Sequence, residues 1–132
     1  MRKSAALAAL ALFACADTGE VLRNPDLDTV REIRELRQQA SAANAAARFL
    51  DAATALRSAV ALCDGVFGVG DPDCSDLRAR LGVELLNIRR VDEALEVFQA
   101  ALSTGDGATS ALDNSRIRTL RALALGRRGE YQ

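Results

Sequence analysis

The chain has 132 residues, with 17 basic and 18 acidic side chains, a formal net charge of −1 and no histidine. That length fits one small domain. The mixed, balanced charge argues against the basic stripe of a nucleic-acid-binding protein, and the missing histidine removes the commonest general base and the commonest metal ligand. Apolar residues make up 49% but aromatics only 4%, so an alanine-rich helical chain with a thinly filled core is expected.

At the start, Met1-Arg2-Lys3 precedes thirteen uncharged residues, Ser4 to Ala16, and then Asp17. A basic start, a short apolar run and a small-residue end make a secretory signal pattern. Leu12-Phe13-Ala14-Cys15 resembles a lipoprotein cleavage box, apart from Phe13. The run is too short to span a bilayer as a helix. A second reading takes residues 1–20 as an amphipathic helix within a larger array. Ala5-Ala6-Leu7, Ala14-Cys15-Ala16-Asp17, Val21-Leu22-Arg23 and Pro25 resemble the beginning of the C-terminal repeat region of bacterial Ser/Thr protein kinases. This reading is preferred from the sequence and implies a cytoplasmic chain. The alternative is an exported or cell-envelope protein, with membrane attachment only through a signal or lipoprotein anchor in residues 1–16.

Asn24-Pro25-Asp26 and Asp71-Pro72-Asp73 are equivalent helix starts, each with a capping side chain ahead of a proline at the first helical position. The first helix is expected from Pro25 to about Ala43, with apolar residues at Val30, Ile33, Leu36 and Ala40, and a break at Asn44. A second helix runs from Ala45 to Cys63 through Phe49, Ala52, Leu56, Ala59 and Val60. Asp64 to Gly70 is a glycine-punctuated loop. The third helix, Pro72 to Arg89, carries Leu77, Leu81, Leu85 and Ile88, and the fourth spans Val91 to Ser103. A Gly-rich loop at 104–109 leads to a last helix over about 112–126.

Within the third and fourth helices, Leu81-Gly82-x-x-Leu85 is followed by Ala94-x-x-x-Phe98-x-x-Ala101. Small and large apolar residues alternate at helical spacing across a break at Arg89-Arg90, as two interlocking antiparallel helices require. Gly82 admits the facing helix, Leu81 and Leu85 fill beside it, Ala94 and Ala101 receive it, and Phe98 is expected to supply bulk where the helices diverge. Arg48 to Ala52 aligns with Arg90 to Ala94 at an offset of 42, pairing Leu56 with Phe98 and Ala59 with Ala101.

These residues resemble the tetratricopeptide repeat, in the long form found in kinesin light chains and in many bacterial signalling proteins. The resemblance covers about 24–132, with pairs at about 25–63 and 72–103 and an incomplete third repeat at 110–132. Arg78 departs from it, where a large aromatic is usual, and so does Asp106, where proline is usual. It implies an all-α fold of antiparallel helix pairs stacked as a short solenoid. It also implies a non-catalytic interaction module for a protein or peptide, or a scaffold fragment of a signalling protein without the kinase domain. The groove side of the third helix would then include Asp76, Arg80, Val83 and Asn87, with Arg116 and Arg127 nearest to equivalent on the last helix.

Gly129-Glu130-Tyr131 resembles the residues that close a first repeat helix, yet the sequence ends at Gln132. One face of the helix around Ile117, Leu120, Leu123 and Leu125 is therefore expected to lack cover and to drive self-association.

No catalytic, cofactor or metal site emerges. Gly65-x-x-Gly68-x-Gly70 lacks the strand that precedes a phosphate loop, and the His-Arg-Asp and Asp-Phe-Gly elements of a kinase are missing. Asp71, Asp73 and Asp76 lack the ligand order of a calcium loop. Cys15, Cys63 and Cys74 are too scattered for a zinc site and are expected as buried thiols. A Cys63–Cys74 bridge, which would go with export, is the other reading.

Overall fold

The computed structural model describes residues 26–104 and 111–130. All the regular structure among them is helical: α1 Leu27–Ala45, α2 Phe49–Phe67, α3 Pro72–Asn87, α4 Val91–Thr104 and α5 Ala111–Glu130. Residues 1–25, with the export signal or helix expected there, lie outside the described residues, as do the 105–110 segment with Asp106, and Tyr131 and Gln132.

Local chemistry sets the helix ends. Asp26 caps α1, accepting from the Asp28 N–H at 3.2 Å and the Thr29 hydroxyl at 3.0 Å; the cap is not Asn24. Asp71 caps α3 as expected, accepting from the Asp73 N–H at 2.9 Å, with Pro72 in the first turn. The first break falls at 46–48 and not at Asn44, so α2 starts at Phe49, four residues later than the spacing predicts. It also continues through Phe67, shortening the expected loop. Gly68 then ends it at φ 90°, a backbone angle that favours glycine.

Two hairpins, α1–α2 and α3–α4, repeat one another. Ala47 and Arg89, 42 positions apart, both adopt left-handed backbone, with φ 58° and 64°. Each turn carries the same hydrogen bonds. Ala47 and Arg89 donate to the carbonyls of Asn44 and Leu86, and Arg48 and Arg90 donate to those of Ala43 and Leu85. Burial repeats as well: Ala40, Ala43, Ala52, Leu56 and Ala59 of the first hairpin match Gly82, Leu85, Ala94, Phe98 and Ala101 of the second.

The core follows from this pairing. Each helix packs against its neighbour in the chain, and α3 also touches α5. All six residues of the motif, Leu81, Gly82, Leu85, Ala94, Phe98 and Ala101, are buried. One expectation about them changes. Phe98 does not fill a gap where the helices diverge; its ring lies over Gly82, at the point of close approach. A Cβ added to Gly82 would sit 2.4 Å from Phe98 Cε1 and 2.6 Å from Cζ. Alanine is the commonest residue in the buried set, which gives the thin core that the composition implies.

The turn carries a testable strain. A non-glycine residue in left-handed backbone costs about 1–2 kcal/mol, part of which glycine recovers despite its more flexible unfolded chain. Ala47→Gly is expected to raise stability by about 0.5–1 kcal/mol in urea unfolding. A loss of stability would mean that Ala47 does not hold this conformation.

Candidate functional site

Two places concentrate polar chemistry. The first is the junction between the hairpins, where α2 meets α3. Cys63, in the last turns of α2, and Cys74, in the first turn of α3, form a disulfide across a separation of 11 residues, which corrects the expectation of free thiols. Both cysteines are buried. Arg78 is one turn further along α3. Its guanidinium pairs with Asp64 and donates to the Val69 carbonyl at 3.4 Å. Its side chain is only 8% exposed and that of Asp64 26%, so losing Asp64 would leave a buried charge on Arg78. Arg78, which stands where the repeat usually has a large aromatic, therefore ties the inter-hairpin loop to α3. Cys63, Asp71 and Cys74 bring three metal-ligating atoms within 4.8 Å of one another. With both sulfurs joined to each other, they offer no thiolate to a cation.

The second place is the face that α1 and α3 share, backed by α2. It holds a cavity of about 290 Å³, lined by Arg37, Ala40, Ser41 and Asn44 of α1, Leu56 of α2, and Arg80, Val83 and Glu84 of α3. At its mouth Asp76 Oδ2 is shared by two arginines, Arg80 Nε at 3.0 Å and Arg37 at 3.9 Å. Inside, Glu84 is 6% exposed. It accepts from Asn44 Nδ2 at 2.6 Å and from Asn87 Nδ2 at 3.4 Å.

Asp76, Arg80, Val83 and Asn87 thus gather on one side of α3, around this cavity or its mouth. Arg116 and Arg127 do not join them. They lie on α5, Arg116 exposed and Arg127 half-buried, and neither lines the cavity. Sequence reasoning missed Arg37, Ser41, Asn44 and Glu84. The first three stand at i, i+4 and i+7 on one face of α1, a spacing that was open to inspection. Glu84 carried no signal, since a glutamate in a helix is ordinarily solvated.

On α5, Ile117 and Ala124 are buried while Leu123 and Leu125 are half exposed. No described helix is long and apolar enough to cross a membrane. No protein-family model matches the chain, and no curated protein or solved structure matches it either.

The disulfide makes a measurable claim about stability. Replacing both Cys63 and Cys74 with serine relaxes the unfolded chain across a short loop, at an expected cost of about 2–3 kcal/mol. The readout is a lower urea midpoint with little change in slope. An unchanged midpoint would show that the bridge contributes nothing.

Proposed function

We propose that this chain is a non-catalytic interaction module. Its two helical hairpins present the α1–α3 face to a protein or peptide partner. The observation that carries the proposal is the arrangement of that face. Polar and charged side chains of two successive first helices, Arg37, Asn44, Asp76, Arg80 and Asn87, converge around a recess instead of pointing separately into solvent. Amides there can bond an extended backbone, and guanidinium groups can grip a carboxylate in bidentate fashion. The tetratricopeptide resemblance of residues 81–101 supports the same use, because first helices line the groove in that family. A docking role beside a signalling kinase belongs to this proposal as its cytoplasmic form.

The Cys63–Cys74 bridge favours an oxidising compartment. It therefore weights the export reading of residues 1–16 above the internal-helix reading. In that form the module is an envelope or secreted protein that binds its partner outside the cytosol.

Two measurements test these statements. Peptide-array screening of the oxidised chain should find ligands whose binding falls at least about tenfold, or 1.4 kcal/mol, in Asn87→Ala plus Arg80→Ala. Unchanged binding in that double variant removes the face assignment. For the compartment, intact-mass spectrometry of the protein from its native cell should find residues 1–16 cleaved and no thiol at Cys63 or Cys74. An intact Met1 or Arg2 together with free thiols would defeat export.

A further inference from the structure

The α1–α3 cavity is divided by charge. Its inner wall holds Glu84, more than nine-tenths buried, with two amide donors and no cationic side chain within salt-bridge distance among the described residues. A buried carboxylate held only by neutral donors is costly. Its oxygens have about four lone-pair sites, and Asn44 and Asn87 use two of them. The inner wall therefore has both the charge and the spare acceptors for a cation.

The mouth has the opposite sign. Arg37 and Arg80 share one oxygen of Asp76, and all three side chains are about half exposed. Ion pairs in such water are weak, and an incoming carboxylate that engages a guanidinium with both oxygens can take Asp76's place. Between mouth and wall, Ala40, Leu56 and Val83 supply an apolar surface, and Ser41 adds one hydroxyl. The volume, about 290 Å³, falls at the small end of small-molecule sites.

These features select among ligand classes. A simple amine or a lysine side chain satisfies Glu84 but leaves the two guanidinium groups that line the same cavity without an anion. A simple carboxylate is welcome at the mouth but meets a negative inner wall. A molecule carrying both charges, with a short aliphatic branch, satisfies the inner wall, the mouth and the apolar side together. We infer that this cavity binds a free aliphatic α-amino acid, with its ammonium on Glu84, its carboxylate on Arg37 and Arg80, and its side chain against Ala40, Leu56 and Val83. Such a ligand bridges α1 and α3 and so joins the two hairpins. It does not depend on the macromolecular partner proposed above: a chain that takes the amino acid but no peptide, or the reverse, separates the two.

The test is an NMR titration of the full oxidised chain with L-leucine, run beside isopentylamine, which lacks the carboxylate, and 4-methylpentanoate, which lacks the ammonium. Leucine should give saturable shifts at the amides of Asn44, Arg80 and Glu84, and each analogue should bind at least about tenfold more weakly. Glu84→Gln should weaken leucine by at least the same factor. Arg37→Ala, at a half-exposed position that the fold does not need, should weaken it severalfold and serves as the deciding variant if Glu84→Gln does not fold. The inference is overturned by no saturable shift up to about 10 mM leucine, well above the millimolar range of weak sites. It is equally overturned by an analogue that binds as well as leucine, or by unchanged affinity in the deciding variant.

Discussion

The Phe98 ring rests directly on the backbone of Gly82, and the second hairpin is built around that contact. Glycine inside a helix sacrifices about 1 kcal/mol relative to alanine. Here the loss is offset by what the missing methyl permits. A fully buried phenylalanine contributes about 1.5–3 kcal/mol, and the ring occupies space that a Cβ at position 82 would claim. The first hairpin meets the same geometry with other side chains. At the equivalent positions stand Ala40 and Leu56, both buried: a larger residue on one helix and a smaller one on the other. The sum of the two is kept while its division changes, and this lets one backbone hairpin recur after 42 residues.

Closing each hairpin requires a left-handed residue in a three-residue turn. Ala47 and Arg89 supply it without being glycine, and the turn's hydrogen bonds to the last carbonyls of α1 and α3 offset part of the strain. The junction between hairpins is held differently. Alanines bury little area, so packing between α2 and α3 is supplemented by a disulfide and by the Arg78–Asp64 ion pair. Small domains with modest cores commonly need such staples. The staple fixes how α1 and α3 lie relative to each other, and thereby the recess that they share. Stability of the junction and shape of the candidate site are thus one problem.

The sequence made some of this legible and hid the rest for physical reasons. Helical periodicity and the Asp71-Pro72 cap placed α3 and α4 to within two residues, because capping and apolar spacing act locally. The start of α2 was misplaced. Ala45-Ala46-Ala47 is a strong helix-forming run, and the turn there comes from the packing of α1 on α2, which local propensity does not encode. The cysteines read as thiols from the sequence because their pairing depends on how the end of α2 meets the start of α3. At the candidate site, Asp76, Arg80, Val83 and Asn87 follow from the family pattern laid along one helix. Their counterparts on α1, and the inward turn of Glu84, depend on how two hairpins stack, which no single helix encodes.

The central contact is tested most directly by a double-mutant cycle in urea unfolding with Gly82→Ala, Phe98→Leu and the pair. The pair copies the Ala40–Leu56 combination of the first hairpin. Each single change should destabilise, and the double variant should be at least about 1 kcal/mol more stable than the sum of the singles implies. Additivity within about 0.5 kcal/mol would mean that the ring does not sit on Gly82, and the hairpin described here would be wrong.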